Sequence, residues 1–377
     1  MEIAILGGGI SGLTQAYQLH KLGCSVTVYE KSERLGGCIE TSLEPYFFER
    51  GPRTFMVDRG AALLKLIDEV GLSSELIFAE RTHRYLYYKN KLRNIPKHYL
   101  ALALLTEWMR PKGPKDETIA EFGYRRLGKK VTDYLLEPMS LGIFAGDIHH
   151  LSIQTCFPYF KEMEQRFGSL SRGFLHQKKT AKDGRLFTLK RGMQSLIECL
   201  GQNLKIVLNY DGPLPEAEVV IKALPPRLLD PELPMNTLAT VNLAFDEPVL
   251  SKEGFGYLVP SVEKEPILGV IFDSSVFPQQ NKTPHETRIT VMMREANPSL
   301  AIETIQRHLL IKKDPVYVHS TEYKKALPEF PVGYLETPLG QTLRSMSVNA
   351  LVDSASKSAE CLADRLSHEF RTSFPVV

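Results

Sequence analysis

The stretch Glu2-Ile3-Ala4-Ile5-Leu6-Gly7-Gly8-Gly9-Ile10-Ser11-Gly12 decides the fold. Residues 2 to 6 form a short, mostly apolar run that breaks into glycines, after which Leu13, Ala16, Tyr17 and Leu19 recur at helical spacing. The spacing predicts strand, tight turn and helix. Gly23 stops the helix, and Ser25 to Tyr29 (Ser-Val-Thr-Val-Tyr) follows as a β-branched strand with Glu30 at its end. This is a βαβ dinucleotide fingerprint. Gly7 permits the turn, Gly9 lets the main chain approach a pyrophosphate, and Gly12 lets the helix pack closely on the sheet. With Gly8 in the turn and Ile10 and Ser11 opening the helix, unpaired N–H groups and the positive end of the helix dipole face the phosphates. Glu30 lies 18 residues beyond Gly12, where a carboxylate can accept ribose hydroxyls and repel a 2′-phosphate.

A glycine turn alone is weak evidence, but here it sits between a strand and a helix with an acid at the right distance. The residues after Glu30 separate FAD from NAD. Lys31-Ser32-Glu33-Arg34-Leu35-Gly36-Gly37 places basic residues, Lys31 and Arg34, and a second glycine pair after the acid. This resembles the extended signature of the glutathione-reductase-like flavoproteins, in which the second turn at Gly37 passes beneath the cofactor again. FAD is therefore the expected cofactor.

Working outward, 377 residues suggest two or three domains. Hydrophobic residues make up 43% and the formal net charge is +2, so there is apolar surface for real cores and no electrostatic case for nucleic acid. Five cysteines, scattered and without a CxxC pair, indicate neither a zinc site nor a disulfide framework. A reducing cytoplasm fits, and a strand that starts at residue 2 leaves no room for a leader peptide. The longest apolar stretch, Tyr99 to Met109, holds the single Trp108 and has basic flanks. It reads either as a buried helix or as a helix lying at a bilayer surface, on the inner face of the membrane.

The expected class is α/β: an FAD-binding βαβ domain, an antiparallel-sheet substrate domain and an inserted helical subdomain. Residues 1–83 begin the flavin domain, and 84–174 form the insertion, which opens with a predicted strand pair, Arg84 to Tyr88 and Leu92 to Ile95 across Lys89-Asn90-Lys91, and turns helical and rich in aromatic residues from about Lys97. Residues 175–230 continue the flavin domain with short strands around Phe187, Lys205 and Glu218. Runs at Leu238, Tyr257, Ile267 and Arg288 predict a substrate sheet over 231–313. Residues 314–377 are expected to return to the flavin domain through a long terminal helix. Gly142-Ile143-Phe144-Ala145-Gly146-Asp147 reads as a loop. No nucleophile elbow, acid/base cluster or metal-ligand spacing occurs: His149-His150 lacks a partner at helical spacing. That fits chemistry carried by a flavin ring.

Several blocks beyond the fingerprint resemble the flavin-dependent porphyrinogen oxidases of haem biosynthesis, which act on protoporphyrinogen IX or coproporphyrinogen III. They are Phe48-Glu49-Arg50-Gly51-Pro52-Arg53, Arg84-Tyr85-Leu86-Tyr87, Gly142 to Asp147 with Leu151-Ser152 and Phe157-Pro158, Arg191-Gly192-Met193-Gln194-Ser195-Leu196, Gly254 to Pro260, and Ala326-Leu327-Pro328-Glu329-Phe330. The resemblance implies that Gly51, Pro52, Arg53 and Thr54 lie against the flavin ring. Met346 and Val348 would serve its pyrimidine end. Arg84 would hold a propionate, with Gly142 and Phe144 against the tetrapyrrole face. It also implies O2 as electron acceptor, a peripheral membrane contact and contact with a ferrochelatase. Val348, Asn349 and Ser354 match the family's closing helix, but the glycines before it do not. The same fold also serves amine oxidases, desaturases and non-catalytic escort proteins, so these readings stay open.

Overall fold

The computed structural model describes residues 2–95, 97–176, 184–342 and 347–373. The chain divides into two units, Met1–Phe78 with Lys182–Pro225 and Met346–Val377, and Ala79–Ala181 with Pro226–Ser345.

In the first unit four strands run parallel in the order Lys205–Val207, Ser25–Tyr29, Glu2–Leu6, Val219–Lys222. Ile3, Ala4 and Ile5 are all buried, as expected of a strand covered on both faces. The Ile10–Lys21 helix sets Leu13, Ala16 and Leu19 into the core. The Val348–Ser373 helix buries Val348, Val352, Ala355 and Ala359, a stripe at three- and four-residue steps. Two polar contacts fix its register: Gln15 donates to Ser358 Oγ at 2.9 Å, and the Leu63 amide donates to Asn349 Oδ1 at 3.0 Å.

The second unit is built on a seven-stranded sheet, ordered Tyr317–Pro328, Met235–Phe245, Thr287–Met293, Gly269–Ile271, Gly256–Leu258, Arg84–Tyr88, Lys91–Asn94. Every neighbouring pair is antiparallel except Gly256–Leu258 with Arg84–Tyr88, which is parallel, so the sheet is mixed. Lys89 and Asn90, both at positive φ, close the Arg84–Asn94 hairpin. The Pro298–Leu309 helix seals one face, adding Ala301, Ile305 and Leu309 to a core with Val241, Leu243, Ile289 and Val291.

Three elements differ from the sequence reading. Residues 84–94 belong to this sheet rather than to the helical insertion, and Tyr317–Pro328 is the sheet's edge strand rather than part of a return to the flavin domain. A strand's composition signals its type but not its partner, which is why both were misplaced. The third is the predicted loop at Gly142. Residues 142 to 144 instead form the last turn of the Glu137–Phe144 helix, with Pro138 tolerated in its first turn and Ala145 closing it at φ 49°.

The helices of this unit share a core of Ile119, Phe122, Leu136, Leu151, Ile153, Met163 and Leu170. Beside it lies a buried ion cluster. Arg126 donates to Glu164 Oε1 at 2.6 Å, to Glu107 Oε1 at 2.9 Å and to the Gly168 carbonyl at 2.9 Å. Lys161 bridges Glu117 and Glu164 at 2.6 and 2.7 Å. The side chains of Arg126 and Glu164 are both 0% exposed. Burial opposes ionisation of Glu164, but hydrogen bonds from Arg125, Lys161 and Arg126 outweigh it and hold its carboxyl at about 2. Among the described residues no helix is long and apolar enough to cross a membrane. Leu102, Leu105, Trp108 and Met109, on and just after the Lys97–Glu107 helix, are exposed, so its apolar text does not make a buried helix.

Candidate functional site

The fingerprint's glycines are required by atoms that crowd them. Gly7 turns at φ 109°, and a Cβ there would sit 2.4 Å from the Ala223 carbonyl oxygen. A Cβ on Gly12 would stand 2.0 Å from the Gly7 oxygen. Gly9 is different: a Cβ added there meets nothing within 4 Å. Gly9 is also the N-cap of the Ile10–Lys21 helix and supplies no side chain to its first-turn amides. The result is an open, positively polarised shelf, bounded by backbone.

The second glycine turn closes against the first. The Gly36 amide donates to the Gly8 carbonyl at 2.8 Å, and a Cβ on Gly37 would find only the Gly9 Cα, at 3.4 Å. Arg34 holds this turn together, donating to the carbonyls of Leu35, Gly37 and Ile39 at 3.1, 2.7 and 3.0 Å. Glu30 stands beside the glycine turn, with Oε2 accepting the Gly8 amide at 2.6 Å and Oε1 accepting the Ser32 amide and hydroxyl at 2.8 and 2.7 Å. A carboxylate has about four lone-pair sites, so Oε2 retains one. Lys31 forms an exposed ion pair with Asp211 at 2.8 Å.

Gly51 admits no side chain, since a Cβ would collide with the Cys38 carbonyl oxygen at 1.8 Å. It opens the Pro52-Arg53-Thr54 segment between the Phe48–Glu49 and Phe55–Met56 strands. Two residues that the motif reading quoted without a role shape this region. Buried Glu49 accepts the Met193 amide at 2.6 Å and the Thr41 hydroxyl at 3.0 Å, and Thr41 in turn accepts the Gln194 amide at 3.1 Å. Gln194 Oε1 is buried with no hydrogen-bond partner among the described residues and would lie 3.4 Å from a Cβ on Gly36. Val348 is 6% exposed in the core beneath Ile10 and Leu13, and Met346 lies outside the described residues.

The predicted substrate residues all lie in the second unit. Arg84 heads its strand exposed, with its guanidinium 4.9 Å from the Phe255 ring centroid and no carboxylate partner among the described residues. A Cβ on Gly142 would meet Leu258 Cδ2 at 2.8 Å. Phe144 packs edge-on against Phe157, 5.7 Å between centroids. The helix end is tied down from the sheet: Asn236 donates to the Phe144 carbonyl at 3.4 Å and Arg294 to the Ala145 carbonyl at 3.0 Å. The Leu151-Ser152 and Phe330 blocks meet directly, the Ser152 amide donating to the Phe330 carbonyl at 2.8 Å.

The backbone shelf above Gly9, a cradle that any side chain there would fill, suits a dinucleotide pyrophosphate. Comparison with known proteins agrees. The family model described as flavin containing amine oxidoreductase matches residues 10–211, more than half of the chain. Human protoporphyrinogen oxidase is 29% identical over 424 residues, covering 88% of each chain. Coproporphyrinogen III oxidase of Staphylococcus aureus is 24% identical, covering 89% of this chain and 90% of that one. A crystal structure from Exiguobacterium sp. 255-15, provisionally described as a protoporphyrinogen oxidase, superposes with a TM-score of 0.82 at 23% identity. It covers 97% of this chain and 99% of its own, and establishes the fold. The chain belongs to the flavin-containing amine oxidoreductase family and is an FAD-dependent oxidoreductase.

Proposed function

We propose that the chain oxidises a porphyrinogen to the porphyrin, protoporphyrinogen IX or coproporphyrinogen III, in haem biosynthesis with O2 as electron acceptor. The observation that carries this is the reach of the likeness: it extends over 88% of the chain, so it takes in the sheet-and-helix unit as well as the flavin unit.

In this reading the turn from Gly7 to Gly9 and the amides of Ile10, Ser11 and Gly12 hold the pyrophosphate. The free lone pair of Glu30 takes a ribose hydroxyl, and Gly37 leaves room beneath the cofactor. The segment from Gly51 to Thr54 lies against the ring, and the Val348–Ser373 helix points its N-terminal end at the pyrimidine. Bound there, the flavin supplies a hydride acceptor. Arg34 serves by holding the second turn rather than by touching the cofactor, and Lys31 has a screened, surface role. Arg84 offers an unpaired guanidinium fork to a propionate. Gly142 and Phe144 present a helix end, held by Asn236 and Arg294, to the flat macrocycle. Gaining conjugation drives the oxidation, so no strong general base is demanded.

The exposed apolar residues Leu102, Leu105, Trp108 and Met109, with exposed Arg110 and Lys112 following, support a peripheral contact with an anionic lipid surface. Co-sedimentation with anionic vesicles, lost on Leu105→Asp with Trp108→Asp, tests that part alone.

Purified protein should be yellow, and its flavin absorbance should bleach when either porphyrinogen is added anaerobically, with porphyrin fluorescence appearing on admission of air. Bleaching by amines alone would replace this reading with an amine oxidase.

A further inference from the structure

One cleft in the second unit is assigned no role by the fold or the family likeness. It is an open, half-polar surface cleft of about 860 Å³, and four cations line it: Arg227, Arg294, Lys324 and Lys325. Only two carboxylates, Glu295 and Glu322, stand among them, leaving a cationic surplus. The Lys324–Glu322 separation is 3.6 Å and the Lys324 side chain is 78% exposed, so that pairing neutralises little.

The cations are brought together by a break in the sheet. Where the edge strand runs along Met235–Phe245, the register jumps between Asn236 and Leu238, so that Lys324, Lys325 and Ala326 face Thr237. Lys325 sits at φ 48°, unfavourable for a residue with a Cβ, and its amide is taken up by Thr237 Oγ1 at 3.2 Å. Arg227 reaches over the bulge to the carbonyls of Lys324 and Lys325, at 3.3 and 3.2 Å. A bulge re-aims side chains, and here it turns two successive lysines toward one cleft. Arg294 connects this cleft to the helix end already described, because it both lines the cleft and donates to the Ala145 carbonyl. Beneath that joint Leu141, Ala145 and Leu268 pack with Leu238, Met292 and Leu327, a firm apolar floor.

We infer that this cleft receives carboxylates of the tetrapyrrole beyond the one assigned to Arg84, and so favours the substrate with four propionates over the one with two. The inference rests on the porphyrinogen reading and sharpens it to coproporphyrinogen III. A macrocycle lying against Gly142 and Phe144 has its periphery beside Arg294, and each further carboxylate finds a cation there. Exposed charge pairs are individually weak and salt-screened, so the preference is a sum over several contacts and fades with ionic strength.

The test is binding of the stable porphyrins, coproporphyrin III and protoporphyrin IX, to the flavin-loaded protein, followed by porphyrin fluorescence. The variants are Lys324→Gln and Lys325→Asn, the asparagine being chosen because it tolerates the positive φ. Coproporphyrin III should bind roughly tenfold tighter than protoporphyrin IX at low salt, and the double variant should abolish that margin. Protoporphyrin IX, with one carboxylate beyond the one on Arg84 where coproporphyrin III has three, should weaken less than coproporphyrin III, and flavin content should change less than about twofold. If both porphyrins bind and the variants leave their ratio untouched, the cleft assignment is overturned while the porphyrinogen reading stands. If neither porphyrin binds the unaltered protein, the porphyrinogen reading falls, and the assignment with it. Retained flavin absorbance in the variants separates either result from misfolding.

Discussion

The shelf above Gly9 and the ion cluster around Glu164 are built in opposite ways. The first exists because side chains are missing: nothing stands within 4 Å of a Cβ at Gly9, and neighbouring glycines at 7, 12 and 51 each lie against a main-chain oxygen. The second exists because side chains converge, three cations meeting one buried carboxylate. A region made of absences is damaged by adding atoms, and one made of matched charges by removing them. Substitutions can therefore tell the two apart.

The largest effect should come from the charge-built region. Arg126→Met leaves Glu107 and Glu164 buried without their shared partner, a loss of about 3–5 kcal/mol of unfolding free energy measured in urea. The pH dependence has a definite sign. Because the folded pKa of Glu164 is held at about 2, below its unfolded value near 4.3, its contribution is complete above about pH 5 and is lost as pH falls toward 2. In the variant that acid slope should flatten; an unchanged slope would assign it to other carboxylates.

The glycine shelf should respond the other way. Gly9→Ala has room for its methyl group in the empty protein, so the melting temperature of the apoprotein should hold while FAD affinity falls about 100-fold, or ~2.7 kcal/mol. Gly12→Ala must displace the Gly7 carbonyl, so both quantities should fall. Equal behaviour of the two variants would erase the distinction between a glycine that admits a ligand and one that admits its own chain.

The same contrast governs what the sequence disclosed. The shelf is spelled by glycines within twelve residues plus one acid, so strand, turn, helix and cofactor class were readable locally. The ion cluster draws on Glu107, Glu117, Arg125, Arg126, Lys161 and Glu164, whose spacing in the sequence does not mark them as partners. Partner choice in the second sheet was equally hidden: Tyr317–Pro328 alternates half-buried with exposed residues, a pattern any edge strand could show. Gln194 and Glu49 could be quoted as parts of motifs, yet their hydrogen bonds to one another's surroundings depend on chain returning from 144 or more residues away. Arg34 is the converse case: its position after the acid marks it in the sequence, but its bonds to the carbonyls of the second turn are visible only in the fold.

A smaller effect should come from His308, a titratable group buried by packing instead of by charge. Its ring stacks on Tyr87 at 3.6 Å, Nδ1 lies 3.0 Å from the Tyr257 hydroxyl, and Glu265, itself gripped by Arg307, is 3.2 Å from Nε2. Burial pushes its pKa down to about 4, against the upward pull of Glu265. An unfolded histidine titrates near 6.5, so its share of stability is full above that pH and is lost between about 6.5 and 4. His308→Phe keeps the stack and should flatten the denaturation profile over that window alone, leaving the Glu164 slope below it intact.

The smallest effect tests whether the second unit also contains a site made by a charge left unmatched. Arg84 differs from Arg126 in having no carboxylate among the described residues, and it lies over Phe255 at an exposed strand start. Removing a buried, paired arginine costs stability; removing an exposed, unpaired one should cost none. Arg84→Ala should therefore leave the unfolding midpoint and bound flavin unchanged while raising KM for a porphyrinogen about tenfold, ~1.4 kcal/mol. Because a propionate contact far from the reacting carbon is equally strong in ground and transition states, kcat should hold. A fall in kcat with KM unchanged would mean that Arg84 acts on the reaction and not on substrate capture. Loss of flavin and activity together would make it structural, and the difference between the two arginines would disappear.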